Sequence, residues 1–127
     1  MGPVEQAIRA TFTAPVTLWT IGRKKPFQLS MIDHDGIVLL LGAGQWSTRL
    51  TWATLESVVP FLQERPGWVP AGGKFSVAGE PGTLDEHLKQ YLKRDVARWL
   101  VRVLSDARVV GVSERPGLSV QLSARYR

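Results

Sequence analysis

Residues 93–127 constrain the fold most, because they carry the clearest helical periodicity of the chain directly before a hairpin pattern. Apolar residues recur at positions i, i+3, i+4, i+7, i+8 and i+11: Val96, Trp99, Leu100, Val103, Leu104 and Ala107. Asp95 is placed to cap this helix. The sequences "VVGV" and "LSVQLS" then flank the turn "SERPG". The end of the chain is therefore predicted to form an amphipathic helix over 95–107 and a two-stranded ribbon.

The middle of the chain carries helix signals and one short strand signal. Thr51 can cap a helix that starts at Trp52, and Pro60 predicts a kink or break near Val59. "VPAGG" is predicted as a loop and "KFSV" as one short strand. Thr83-x-x-Glu86 is a capping box that opens a helix over 84–92.

The first part of the chain combines a short helix with strands. "VEQAIRATF" has apolar residues at helical spacing, whereas "VTLWTIG" and "FQLSMIDHDGIVLLLG" are rich in strand-forming residues. Asp35-Gly36 marks a hairpin turn, and "GRKKP" is a basic loop. We expect an α+β protein with an N-terminal helix and antiparallel β-hairpin unit over residues 1–45 and a second unit over 46–127, together forming one compact domain.

The order of elements over residues 51–123 is helix, short strand, helix, turn, helix, strand, turn, strand. This order resembles the winged-helix family, in which a helix-turn-helix is followed by a β-hairpin wing. The resemblance covers the C-terminal part only and rests on "LSDARVVGV" and "RPGLSVQLS", not on a diagnostic motif. It implies that 84–92 is a positioning helix, that 95–107 is a recognition helix, and that Arg115 is a wing residue that reaches DNA.

The net charge of +5 is concentrated at the end of the chain. Residues 1–92 contain eight basic and eight acidic side chains, whereas residues 93–127 contain eight basic and three acidic ones. Localised positive charge favours a polyanionic partner, although a basic face can also serve solubility alone.

The predicted contact residues follow from this charge and from helical spacing. Arg94, Arg98 and Arg102 lie four residues apart, which predicts a stripe that points away from the core, with Lys93 at the same end. The loop Arg23-Lys24-Lys25 extends this set if it lies on the same side. Arginine suits the role because its planar fork binds phosphate or guanine in bidentate fashion.

The sequence therefore predicts a non-catalytic module that binds double-stranded DNA, either a regulator or a reader domain of a larger DNA-acting protein. RNA is a less favoured partner, since it requires exposed aromatic residues beside the basic stripe. The alternative is a protein-protein interaction or dimerisation module that uses the helix 95–107 or the "IVLLL" strand. A homodimer or a fusion partner domain fits either hypothesis.

Several function classes have little support in the sequence. The chain has no cysteine, and "GWVPAGGKFS" fails the phosphate-loop pattern because Gly73 stands where lysine is needed. His34 and His87 are the only histidines, so we expect no metal site. No GxSxG elbow and no Cys-His pair appear, so we expect no cofactor and no enzymatic activity. The first residues lack a secretory pattern and no apolar run is long enough to span a bilayer, which predicts a cytoplasmic protein without membrane contact. The excess of arginine over lysine is typical of a bacterial, GC-rich source.

Overall fold

The structure is a computed structural model that describes residues 1–22, 24–72 and 79–127. Within these ranges the chain is a mixed α/β protein with two antiparallel sheets and five α-helices. The expected α+β class is therefore confirmed at this level.

The first sheet is a four-stranded meander in the order β1-β2-β3-β4. Its strands are Val16–Trp19, Pro26–Ile32, Gly36–Leu41 and Trp46–Thr51. The predicted turn at Asp35-Gly36 joins β2 to β3, as expected. Strand β4 is not among the predicted elements, and its alternating burial shows that Thr48 and Leu50 face the core.

The second sheet has three strands in the order β5-β7-β6: Val69–Pro70, Ser119–Leu122 and Val110–Ser113. The helices are α1 to α5: Pro3–Thr11, Trp52–Glu56, Val58–Gln63, Leu84–Leu88 and Ala97–Asp106. A short 3-10 helix, Ala124–Tyr126, follows β7. The predicted ribbon is confirmed as the hairpin β6–β7, in which Val112 pairs with Val120.

The predicted helix after residue 51 is broken into two pieces, as Pro60 suggested. Thr51 Oγ1 accepts the backbone N–H of Thr54 and caps α2. The break falls at Ser57, and Pro60 then lies in the first turn of α3, where a missing N–H costs little.

Some local predictions need correction, and one falls outside the described ranges. Strand β5 lies at Val69–Pro70, inside the predicted "VPAGG" loop, while the predicted "KFSV" strand lies outside the described residues. Helix α4 ends at Leu88, four residues earlier than predicted. Helix α5 begins at Ala97, and Asp95 does not cap it, because its carboxylate pairs with Lys89 instead.

A single cluster of buried apolar side chains underlies both sheets and all five helices of the described ranges. Strand β4, which begins at residue 46, pairs with β3 along its whole length. The division into units 1–45 and 46–127 stays a prediction. Helix α1 is tied to the middle of the chain, since the Glu56 carboxylate accepts the backbone N–H groups of Val4 and Glu5.

Candidate nucleic-acid interface

Helix α5 and the residues just before it reach from one edge strand of the four-stranded sheet to the other. Arg94 Nη1 donates to the Ser47 carbonyl oxygen (3.1 Å) and to Thr48 Oγ1 (2.8 Å), both in β4. Arg102 Nη1 donates to the carbonyl oxygen of Trp19 in β1 (3.0 Å). Arg94 and Arg102 therefore bind opposite edge strands of the sheet.

This geometry corrects the predicted arginine stripe. Arg94 precedes α5 rather than lying in it, and both end members of the stripe bind the sheet instead of pointing away from the core. Arg102 Nε also donates to both carboxylate oxygens of Asp106 (2.9 Å each), which neutralises its charge. Every residue of α5 is buried or half-buried, so this helix has no fully exposed face for insertion into a DNA groove.

Arg98 is the stripe member whose guanidinium has no hydrogen-bond or ion-pair partner among the described residues. It lies on α5 between the two anchored arginines and is half-buried. Its aliphatic stem is therefore partly packed, and its charge is not neutralised by a described acidic group.

The basic loop lies on the same side of the molecule as the β6–β7 hairpin. Backbone bonds between Thr20 and both Lys24 and Lys25 close the loop, and both lysines are exposed. A Cβ atom placed on Gly22 would lie only 2.8 Å from Glu114 Oε1 at the start of the hairpin tip. The loop and the tip are thus in contact. Arg23 lies outside the described residues.

The hairpin tip carries the predicted wing residue. Arg115 is exposed, and its carbonyl oxygen accepts the Ser113 hydroxyl (3.2 Å). We call Lys24, Lys25, Arg98 and Arg115 the cationic surface. Glu114 is an exposed acidic residue beside it and lowers its positive potential locally.

The remaining predicted contacts lie at the other end of α5. Lys93 is exposed and adjoins Arg94, whose anchor on β4 places it near the β3–β4 turn. The structure therefore separates the predicted residues into a group near β1 and a pair near β4, with Arg98 between them.

An ionic cluster at the opposite end of the four-stranded sheet was missed by sequence reasoning. Arg49 forms a bidentate pair with Asp33 (2.8 Å for both bonds), and Arg9 Nη2 donates to the Asp33 carbonyl oxygen. The Arg49 guanidinium holds the pKa of Asp33 well below its usual range. Asp33 lies in the β2–β3 turn, whereas Arg49 lies in β4, which pairs with β3 and not with β2. No spacing within a single hairpin therefore predicts this pair.

A second ionic cluster is buried under the α4–α5 connection. Lys89 Nζ lies 3.1 Å from Asp85 Oδ2 and also binds Asp95, and both Asp85 and Lys89 are buried. Burial raises the pKa of Asp85, and the two carboxylates together raise that of Lys89 in spite of its burial. The cluster fixes the turn that positions α5.

The two histidines serve local roles in the structure. His34 is exposed in the β2–β3 turn beside Asp35. His87 Nε2 lies 2.9 Å from Ser57 Oγ, and its ring stacks on Phe61. Burial, and secondarily the charge of Arg65, lowers the pKa of His87. Among the described residues no group of His, Asp and Glu side chains is arranged to hold a metal ion.

The tryptophans divide between the core and the surface. Trp52 and Trp99 pack against the core, while Trp46 and Trp68 are 67% and 50% exposed. The "IVLLL" strand, in contrast, is β3, which is paired on both sides and offers no free edge to a partner.

No family model, curated protein or solved structure matches this chain. None of the helices in the described ranges has the length and apolar character needed to cross a bilayer.

Proposed function

We propose that this protein binds double-stranded DNA without catalysing a reaction, and that it does so mainly through backbone phosphates on the cationic surface. The observation that carries this proposal is the contact between the basic loop and the hairpin tip at Gly22 and Glu114. This contact joins the loop that carries Lys24 and Lys25 to the hairpin tip that carries Arg115, although the two segments are distant in sequence.

The charge distribution supports the same proposal. The whole net charge of +5 arises from residues 93–127, and Arg98 carries a cation that no described group neutralises. Each lysine or arginine that neutralises a phosphate releases a counterion, which favours binding at low salt.

The winged-helix resemblance supports a DNA-binding role and is part of the proposal. The described elements from α2 to β7 run helix, helix, short strand, helix, helix, strand, strand, and this order supports the resemblance although its first helix is in two pieces. Because α5 is covered by the sheet, however, we propose that the loop and the hairpin tip contact the DNA surface, with Arg98 at its margin, rather than that α5 enters the major groove.

The test is fluorescence anisotropy with a labelled random-sequence duplex across a salt series. The Lys25→Ala/Arg98→Ala variant should bind more weakly than wild type. The plot of the logarithm of the association constant against the logarithm of the salt concentration has a negative slope, and this slope should become shallower by about 1 for each cation removed. The control is Arg9→Gln/Arg65→Gln, which makes the same change in net charge elsewhere and should keep the wild-type slope. Absence of binding at low salt by folded wild-type protein would refute the proposal.

The protein-protein interaction module remains the alternative. It predicts that Lys25→Ala/Arg98→Ala leaves the binding of a partner tight and nearly independent of salt, since charge would not drive that association.

A further inference from the structure

A cavity of about 350 Å³ lies between the β3–β4 turn and the residues that precede α5. Two indole rings, those of Trp46 and Trp99, contribute to its lining together with the side chain of Leu41. Trp99 packs against the core, whereas Trp46 is 67% exposed. A large exposed aromatic side chain at the mouth of an apolar cavity is typical of a site that holds a flat ligand.

The glycine turn allows the exposed indole to lie close to the backbone. A Cβ atom on Gly44 would lie 2.3 Å from Trp46 Nε1, so that the indole has its present position only because residue 44 lacks a side chain. The turn therefore does more than connect two strands: it shapes one wall of the cavity.

The polar groups of the cavity have specific donors and acceptors. Arg94 uses Nη1 to bind β4, and its Nε and Nη2 atoms, which form the other edge of the guanidinium, have no partner among the described residues. That edge is the planar fork that binds a phosphate in bidentate fashion. Asp95 Oδ1 pairs with Lys89, which leaves Oδ2 to accept an N–H group of a ligand.

We propose that this cavity binds a single unpaired nucleobase, with the indole of Trp46 stacked on the base and the phosphate of the same nucleotide on Arg94. The exposed Lys93 adds positive charge at the rim. Charge complementarity and the flat aromatic wall favour a nucleotide over an uncharged apolar ligand. The proposal rests on the proposed function, because it adds a site for an unpaired base to a protein that binds DNA through phosphates.

The experiment compares three labelled probes: a fully paired duplex, the same duplex with one mismatched 2-aminopurine, and a single strand that contains 2-aminopurine. Wild-type protein should bind the mismatched duplex about tenfold more tightly than the paired one, in line with base–aromatic stacking. The 2-aminopurine fluorescence of the mismatched duplex and of the single strand should change on binding.

Trp46→Ala should abolish both the preference and the fluorescence change while paired-duplex binding stays at the wild-type level. Trp68→Ala, which removes an exposed tryptophan outside the cavity, should behave like wild type. Gly44→Ala should weaken the preference by displacing the indole. Circular dichroism checks that each variant is folded.

The outcomes separate the two proposals. A preference that survives in Trp46→Ala, or equal affinities of wild type for paired and mismatched duplexes, overturns the base site and leaves duplex binding intact. Binding of the single strand that depends on Trp46, without any binding of the paired duplex, supports the base site and refutes the proposed function. Absence of binding to all three probes overturns both.

Discussion

The Arg102 guanidinium donates a hydrogen bond to the carbonyl oxygen of Trp19, 83 residues earlier in the chain, at 3.0 Å. This bond ties the longest helix of the described ranges to an edge strand of the four-stranded sheet. It also means that a basic residue on a predicted DNA-binding stripe serves the fold.

Substitutions of Arg98 and Arg102, which lie one turn apart on α5, should therefore have different effects on stability and on DNA binding. Arg102→Met should lower the free energy of unfolding by about 1 kcal/mol, because the charged hydrogen bond is lost at a partly exposed site. Arg98→Met should change stability by less than about 0.5 kcal/mol but should reduce the salt dependence of DNA binding. Urea unfolding and anisotropy measure the two effects. The same ranking of both variants in both assays would contradict this assignment.

Glu56 is expected to act as a cap supplied from a distant part of the chain. Its carboxylate accepts the backbone N–H groups of Val4 (3.0 Å) and Glu5 (2.8 Å) at the start of α1. Glu56→Ala should lower the free energy of unfolding by about 1–2 kcal/mol, the usual cost of losing an N-terminal cap. Glu64→Ala, at an exposed position, is the matched control. Equal urea midpoints for the two variants would show that the cap contributes nothing.

The β2–β3 turn requires glycine at position 36. Its φ is +153°, and a Cβ atom there would lie 2.0 Å from the Leu50 carbonyl oxygen of β4. Gly36→Ala should therefore destabilise the protein by about 3 kcal/mol. Gly42 also has a positive φ (+70°), but a Cβ atom there would meet no described atom within 4 Å. We therefore expect Gly42→Ala to lower the free energy of unfolding by about 1 kcal/mol. Thermal or urea unfolding that ranks Gly42→Ala as the worse variant would argue against the described packing.

His87 should make stability depend on pH. Burial lowers its pKa below the ordinary value of 6.5, so the unfolded chain takes up a proton more readily than the folded one. The neutral His87 side chain therefore makes its full contribution to the free energy of unfolding above pH 6.5, and this contribution is lost as the pH falls through the lowered pKa. Urea unfolding at pH 7.5 and 5.5 should show a smaller loss of stability in His87→Gln than in wild type. His34→Gln, at a side chain that is 91% exposed, should keep the wild-type difference. Identical pH dependence in wild type and His87→Gln would exclude this role.

Local signals in the sequence were enough to predict several elements. The apolar spacing of residues 96–107 located α5, and Thr51 and Thr83 cap α2 and α4 through bonds to residues three positions later. The Asp35-Gly36 dipeptide likewise predicted the turn between β2 and β3. These features depend on interactions within about one helical turn or one hairpin turn, so they can be recognised in a short stretch of sequence.

Strands β4 and β5 could not be recognised in that way. "WSTRLT" runs directly into the helix at Trp52, and β5 consists of two residues, one of them Pro70. Each is a strand because it pairs with a neighbouring strand: β4 pairs with β3, and β5 pairs with β7. The pairing partner of β5 lies about fifty residues later, and no local pattern of apolar residues encodes such a partner.

The sequence by itself determined where the positive charge lies, which residues form the amphipathic helix and where the terminal hairpin turns. Only the tertiary structure decided which of the basic side chains remain available to a ligand. Helical spacing relates Arg94, Arg98 and Arg102 to one another but does not specify what packs beside them. Once the four-stranded sheet lies against α5, carbonyl oxygens of its two edge strands accept hydrogen bonds from Nη1 of the two outer arginines, because an edge strand leaves carbonyl groups without a partner strand and a charged donor binds them strongly. Arg98 keeps its whole guanidinium for a ligand, whereas Arg94 keeps only the edge formed by Nε and Nη2.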